Sequence, residues 1–160
     1  MASGSVWGSL ARQVPVRLAV SAFFFNSGLS KRDADRETAE QLHQPATITY
    51  PFLGKLDAQT FTRQLSRGEI AIAAAMLLPV VPTAVAGGAL IAFSCGTLGL
   101  YLRVPGMRRE NSLRPTEQGT PVAKDIWLLG IGISLVAEGL TRNPGVAAAA
   151  LGPWHRVVRH

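Results

Sequence analysis

An uncharged run over residues 70–102 constrains this chain more than any other feature of its sequence. A single straight α-helix of that length would be about 50 Å long, whereas the hydrocarbon core of a bilayer is about 30 Å thick. Pro79 and Pro82 interrupt the run, and proline is unfavourable in a helix interior. The run therefore predicts two apolar helices joined by a sharp reversal. A soluble domain of this size has no interior large enough to bury both.

Two further apolar segments lie on either side of that pair. The first is VPVRLAVSAFFFNSGLS, in which Pro15 suits the first turn of a helix, and the second is IWLLGIGISLVAEGL. A cleaved signal peptide is the alternative interpretation of the first segment. Because no alternating β-barrel pattern occurs, the chain is predicted to be an all-α integral membrane four-helix bundle in a single domain, 1–160. Its spans are expected at about 15–30, 66–79, 82–102 and 122–141.

A charged connector, 31–65, and a polar loop, 103–121, link these spans. Residues 31–67 carry six Lys/Arg and residues 103–124 carry five, whereas the reversal between the two prolines carries none. Because cytoplasmic loops of membrane proteins are enriched in cations, both connectors are expected in the cytoplasm and both termini outside.

The connector 31–65 is long enough to have a function of its own. Its stretch RDADRETAEQLHQ has helical character, which Pro45 and Pro51 are expected to end. Four apolar and aromatic side chains are predicted to lie along the membrane surface: Tyr50, Phe52, Leu53 and Phe61.

Several classes of function are disfavoured. Sixteen Lys/Arg against ten Asp/Glu do not indicate nucleic-acid binding, because the cations punctuate apolar segments and form no basic stripe with interleaved aromatic residues. Cys95 is the only cysteine, so a disulfide within the chain is excluded, and we expect it to be a small residue of a helix core. No metal-ligand spacing, nucleophile–base–acid order, phosphate loop or dinucleotide fingerprint is present, which argues against an enzyme.

The third predicted span carries small residues at four-residue spacing. Such a ladder lets helix backbones approach closely in lipid. Its members are Ala84, Gly88, Ala92 and Gly96, with Gly87 and Gly99 adding to it.

Polar and ionisable side chains inside a span are costly, at roughly 3 kcal/mol for a charge at the bilayer centre, so each requires a partner or a water-filled cavity. The candidates are Arg17, Asn26, Glu69, Lys124, Asp125 and Glu138. Glu69 and Asp125 are expected in the first turns of their helices, where the helix dipole favours a carboxylate. That placement is compatible with capping alone. The functional alternative is a polar rim with Lys124 that contacts a head group, a quinone or a partner protein.

Glu138 lies about 20 Å along the axis from Asp125 and therefore near the opposite membrane face. It shares a helical stripe with Trp127, Ile131 and Ser134. One hypothesis pairs Glu138 with Arg17 as a buried ion pair between the first and fourth spans, and the alternative is that Glu138 reaches interfacial water alone. Asn26, on the opposite side of its helix from Arg17, is predicted to form a helix–helix hydrogen bond.

Together these segments resemble the DoxX family of small four-helix membrane proteins. The resemblance rests on RLAVSAFFFNSGLSK in the first span, on GE followed by small and apolar residues in the second, and on KD before an apolar glycine-containing run in the fourth. The family's motif residues match Arg17, Gly28, Lys31, Gly68, Glu69, Lys124 and Asp125. The resemblance implies a protein of the bacterial plasma membrane that is associated with redox, oxidative-stress or respiratory assemblies.

Three functions follow as expectations. The first is a non-catalytic accessory or scaffold subunit that docks a membrane or cytoplasmic partner protein through the connectors. The second is a quinone-linked oxidoreductase subunit, in which Glu69 and Asp125 handle protons. No cofactor is expected apart from a quinone in this second case. The third is a small transporter or lipid-binding protein, for which a homodimer is expected.

Overall fold

The computed structural model describes the backbone of residues 3–142 and the side chains of residues 11–142. This part of the chain is helical, contains no β-strand, and has a single isolated bridge between Arg108 and Pro115. The all-α prediction is therefore confirmed. The helices are α1 (Ser3–Arg32), α2 (Arg36–Thr49), α3 (Ala58–Leu77), α4 (Thr83–Arg103), α5 (Thr120–Ala123) and α6 (Ile126–Arg142), with a 3-10 turn at Pro51–Lys55.

The four long helices α1, α3, α4 and α6 form two close pairs. Helix α1 packs along α3, and α4 packs along α6. The pairs meet in one buried cluster, in which Phe24 of α1 lies edge-on to Phe93 of α4 with the ring centroids 4.8 Å apart. The buried members of this cluster are Val20, Phe24, Ile72, Ala73, Met76, Ala86, Leu90 and Leu135.

Small and hydroxyl side chains hold α1 against α3. The Ser21 hydroxyl donates to the Ala73 carbonyl at 2.9 Å, and the Ser66 hydroxyl donates to the Gly28 carbonyl at 2.7 Å. A Cβ added at Gly28 would lie 2.7 Å from a side-chain carbon of Ile70, so only glycine permits this approach. These hydrogen bonds stabilise the pair because neither lipid nor a dry core could offer the serine hydroxyls another acceptor.

Glycine contacts hold α4 against α6 through part of the predicted set of small residues, namely Ala84 and Gly87. A Cβ added at Gly87 would lie 2.7 Å from the Gly132 carbonyl oxygen, and one at Gly139 would lie 2.6 Å from the Ala84 amide nitrogen. Added Cβ atoms at Gly88 and Gly96 would meet nothing within 4 Å. The ladder prediction is wrong for these two glycines because the face of α4 that contacts α6 contains Gly87, and Gly88 and Gly96 lie outside it. The lone Cys95, which was expected in a core, is exposed on α4.

The reversal predicted at the two prolines is confirmed. Helix α3 ends at Leu77, the Val81 amide donates to the Leu78 carbonyl at 3.1 Å, and Pro82 precedes α4 as its N-cap. The segment predicted at 82–102 thus matches α4 within one residue.

The other predicted boundaries need correction. Helix α1 begins at Ser3, so Pro15 lies inside the helix and not in its first turn. Helix α3 begins eight residues before the predicted position 66, because the Asp57 side chain accepts the Thr60 amide at 3.0 Å and caps a helix there. The predicted fourth span is divided into α5 and α6 at Lys124 and Asp125.

Pro45 does not end α2, which continues to Thr49. Proline removes one backbone hydrogen bond, and here the freed carbonyl belongs to Gln41, on the exposed side of the helix where water can satisfy it. Two residues on the other side, Ala39 and Ala46, are buried as α2 packs against α3. Tertiary packing therefore outweighs the local preference.

Both connectors lie at one end of the helix pairs. The Tyr50 hydroxyl donates to the Gly96 carbonyl of α4 at 3.0 Å, and Arg103 donates to the Thr49 carbonyl at 3.1 Å. The reversal between α3 and α4 lies at the other end. The chain termini, residues 1–2 and 143–160, which were predicted to lie outside the cell, are not among the described residues.

Two helical segments are long and apolar enough to cross a membrane, Thr83–Arg103 and Thr120–Arg142. Only 28% and 11% of their most apolar windows are buried within the protein, whereas the core helix of a soluble protein is mostly buried. Both segments also lie far from the N-terminus, where a signal sequence would be found. They suggest a membrane location, while spans at α1 and α3 remain a prediction.

Candidate functional site

A buried ion pair links α1 to α3 at the connector end. The Lys31 ammonium donates to a Glu69 carboxylate oxygen at 3.0 Å and also to the Ser27 hydroxyl at 2.6 Å. Glu69 is only 3% exposed. Glu69 lies about three turns into α3, so the prediction that it lies in the first turn is wrong. The dipole at the start of the helix therefore does not stabilise its charge. The ammonium of Lys31 stabilises it instead.

Lys31 was not singled out from the sequence as the partner of Glu69. The available signal was its spacing: Lys31 is one turn after Ser27 and is the first cation that follows the apolar part of α1. A buried carboxylate in an apolar segment needs such a cation, but spacing within one helix cannot identify a partner on another.

Asp125 lies at the same end, where α5 meets α6. It is half-buried, beside the Thr97 hydroxyl of α4 and within electrostatic range of Lys31. Lys124 is exposed and has no ion pair among the described side chains. The structure therefore brings Glu69 and Asp125 of the predicted rim towards a common cation, which is Lys31 and not Lys124.

Arg17 and Glu138 lie near the opposite end but do not form the hypothesised ion pair. Arg17 is buried and donates to the Ala75 carbonyl in the last turn of α3 at 3.5 Å, while its Nε has no partner among the described residues. Glu138 lies 4.0 Å from Arg142, one turn along α6. The reason is the pairing of the helices: α1 faces α3, whose C-terminal carbonyls attract a cation.

An open groove of about 460 Å³ lies between α1 and α6 at this end. Val16, Ile131 and Leu135 give it apolar walls, and Glu138 lines its polar end together with Arg12 and Gln13. The predicted stripe of Trp127, Ile131, Ser134 and Glu138 lines this groove as a whole. Gln13 was missed because it precedes the predicted span, although its position four residues before Arg17 puts both on one side of a helix.

Asn26 does not make the predicted helix–helix hydrogen bond. It is exposed on α1, between the exposed side chains of Phe25 and Leu29, and it has no hydrogen-bond partner among the described residues. Its helical position places it away from α3, because the inward face of α1 is formed by Ser21, Phe24 and Gly28.

The connectors present both apolar and charged groups to the outside. Ile48 and Leu56 are exposed, and Phe52 is 66% exposed. Two helix caps, Asp35 and Asp57, are fully exposed here, and hydrogen bonds from the side chain and backbone of Thr38 and of Thr60 lower the pKa of each carboxyl below its usual value. This connector face therefore combines water-accessible anions and cations with apolar side chains.

Neither end of the bundle resembles a catalytic centre within the described residues. No group of three or more His, Cys, Asp or Glu side chains comes together there in a way that could hold a metal ion. The Lys31–Glu69 pair, with Asp125 within electrostatic range, holds charge between the helices, and the groove can accept an elongated molecule with a polar end. No protein-family model, curated protein or solved structure matches this chain.

Proposed function

We propose that this chain is a four-span protein of the bacterial plasma membrane that acts as a non-catalytic accessory or scaffold subunit. Its four long helices are anchored in the bilayer, and its connector face docks a partner protein of a redox, oxidative-stress or respiratory assembly. The observation that carries the proposal is the combination of an apolar exterior along the helices with the charged and apolar groups that the connectors expose at one end.

The exterior of the four helices supports the membrane part of the proposal. Large apolar side chains are exposed along α1 from Val14 to Leu29 and on the first half of α6, and the exposed positions of α3 after Arg67 are all small or apolar. A soluble monomer with such an exposed apolar surface would aggregate, whereas the acyl chains of lipids solvate this surface favourably. The most exposed residues on α1 and α6 include Leu18, Phe23, Phe25, Trp127 and Ile133.

The distribution of charge supports an orientation with the connector face in the cytoplasm. Eleven of the sixteen Lys/Arg belong to residues 31–67 and 103–124, the two segments that the structure brings to the same end. Cations at this density are retained on the cytoplasmic side during insertion.

The docking role is supported by what the connector face exposes. Phe52 and Leu113 project as apolar groups among charged neighbours, which is the composition of a protein–protein contact surface with an apolar centre and a polar rim. The buried Lys31–Glu69 pair lies behind this face and fixes α1 against α3, so it serves to hold the surface in shape. The motif residues of the DoxX resemblance that lie here, Lys31, Glu69 and Asp125, are consistent with this structural use.

Purification from membranes in mild detergent tests the proposal. We expect one partner protein to co-purify at a fixed ratio with the wild-type chain, identified by mass spectrometry. Combining Phe52→Ser with Leu113→Ser should abolish this co-purification while the protein remains in the membrane fraction. Val80→Ser is the matched control, because Val80 is 82% exposed at the opposite end. Equal recovery of partner with all three chains, or none with the wild type, would remove the docking role.

A further inference from the structure

We propose that the groove between α1 and α6 binds a single phospholipid whose headgroup is a phosphoethanolamine, carrying a phosphate and a primary ammonium. The inference depends on the membrane location proposed above, because the ligand is drawn from the surrounding bilayer. It assigns to this groove a binding role that is separate from the docking of a protein at the connector face.

The strongest indication is an unsatisfied amide in the wall of the groove. Gln13 is only 3% exposed, and the Thr83 hydroxyl donates to its Oε1 at 3.4 Å. Its Nε2 has no hydrogen-bond partner among the described residues. Buried polar groups in proteins are almost always paired, so an unpaired donor that lines an open groove calls for an acceptor from a ligand. Phosphate and ester oxygens of a phospholipid are such acceptors.

Two opposite charges at the same end select the headgroup. Arg12 and Glu138 both line the groove beside Gln13. Among the described side chains, Glu138 forms one ion pair, with Arg142 at 4.0 Å, which is a long distance for an ion pair. A phosphate would bind to Arg12 and Gln13, and a primary ammonium would donate to Glu138. An anionic headgroup without an ammonium would instead bring a negative charge towards Glu138, and a neutral quinone would pair with neither charge.

The length of the groove suits one acyl chain. Its lining on α6 extends from Glu138 to Trp127, which is about 16 Å along a helix axis. An acyl chain extends over about half of the hydrocarbon core, which is about 15 Å. A lipid whose headgroup lies at Glu138 would therefore place its chain along Val16 and Ile131, in the direction of Trp127.

Small residues keep the groove open. Gly130 and Ser134 of α6 line it, and a Cβ added at Gly130 would meet nothing within 4 Å. A larger side chain at this position would therefore fill the groove without disturbing a helix contact. Gly88 on α4 is equally free of neighbours but does not line the groove, which makes it a matched control.

The test uses the full-length chain, stripped of lipid by extensive detergent washing and then titrated with dioleoyl phosphatidylethanolamine. Native mass spectrometry and the thermal unfolding midpoint are both recorded. We expect one lipid per chain and a rise in the midpoint for the wild type and for Gly88→Leu. For Gly130→Leu and Gln13→Leu we expect at least a tenfold weaker apparent affinity and no rise. Phosphatidylglycerol and phosphatidylcholine should bind at least tenfold more weakly to the wild type.

Gln13→Leu separates a ligand-binding role from a structural one. Removing an unpaired buried amide should raise the midpoint of the lipid-free protein, while the additional rise on lipid addition disappears. Loss of stability without lipid, or an unchanged response to it, would overturn the assignment of Gln13.

Equal affinity for all three lipids would remove the headgroup selection, and undiminished binding by Gly130→Leu would exclude the groove. A wild-type chain that requires detergent and retains its partner, yet binds no phosphatidylethanolamine, refutes this inference alone. A chain that folds as a monomer in plain buffer refutes the proposed membrane function.

Discussion

The ammonium of Lys31 and the carboxylate of Glu69 form an ion pair where both side chains are largely removed from water. Such a pair has a high desolvation cost, so its presence does not by itself imply a large gain in stability. Its removal is a different matter, because either partner alone leaves an uncompensated charge between α1 and α3. Asp125, which lies within electrostatic range of the same ammonium, would then lose that interaction as well.

Lys31→Met should therefore destabilise the protein by about 3–5 kcal/mol, since it leaves the Glu69 carboxylate buried and unpaired. Adding Glu69→Gln to that variant removes the stranded charge and should restore most of the loss. The free energy of unfolding, measured by denaturant titration in detergent, gives the coupling between the two positions. The exposed Arg36–Glu40 pair is the control, and its disruption should have no measurable effect. Additive losses in the double variant would mean that the two residues do not act as a pair.

At the scale of helices, the fit of α4 against α6 depends on which of two adjacent glycines faces the partner. Gly87 is in contact with Gly132, whereas Gly88 faces open space. Hydropathy and small-residue spacing predicted that α4 would pack closely against another helix. They did not predict which face of α4 would do so, because the rotation of a helix about its axis is set by its neighbours. The two prolines predicted the reversal well, since the restriction they impose is local and acts in any surroundings.

Gly87→Ala should destabilise the protein by about 1–3 kcal/mol, because the new methyl group would overlap the Gly132 carbonyl and force the helices apart. Gly88→Ala should instead be neutral or stabilising by about 0.5–1 kcal/mol, through the better helix propensity of alanine. Thermal unfolding of the two variants in the same detergent compares them directly. Equal shifts of the midpoint in Gly87→Ala and Gly88→Ala would contradict the close contact of α4 with α6 at Gly87.

The beginnings of α1, α2 and α3 were the least predictable parts of the fold. The segment 31–65 was interpreted as a connector because it is polar, yet much of it is helix. Asp57, four residues before Phe61, was a capping signal for the start of α3. The predicted start was placed at residue 66 instead, because the apolar run begins at residue 70. Of the candidate site, the sequence indicated that Glu69 and Asp125 would lie at one end. It could not indicate Lys31 or Gln13 as neighbours, because those contacts join segments far apart in the chain.

For the molecule as a whole, the two ends differ in charge and in shape. One end carries the two charged connectors, with most of the Lys/Arg of the chain, and the other carries the short reversal with the exposed Val80. If the bilayer encloses the helices between them, these ends must face different compartments.

Cysteine labelling can measure this asymmetry. With Cys95 replaced by serine, a single cysteine is introduced as Val80→Cys or as Ser112→Cys in the polar loop. We expect a membrane-impermeant maleimide to label the first variant in intact cells, and the second only after the membrane is permeabilised. Labelling of both in intact cells, or the reverse pattern, would contradict the orientation.

The pairing of α1 with α3 and of α4 with α6 also has a consequence for biogenesis. Each close pair consists of consecutive long helices, and its hydrogen bonds and glycine contacts lie within the pair. If the chain is inserted into a membrane as proposed above, the first pair can assemble as it leaves the translocon, while the ribosome is still extending the second. Docking of the two preformed pairs around Phe24 would then be the last step, in which the Thr83 hydroxyl of α4 also comes to donate to Gln13 of α1.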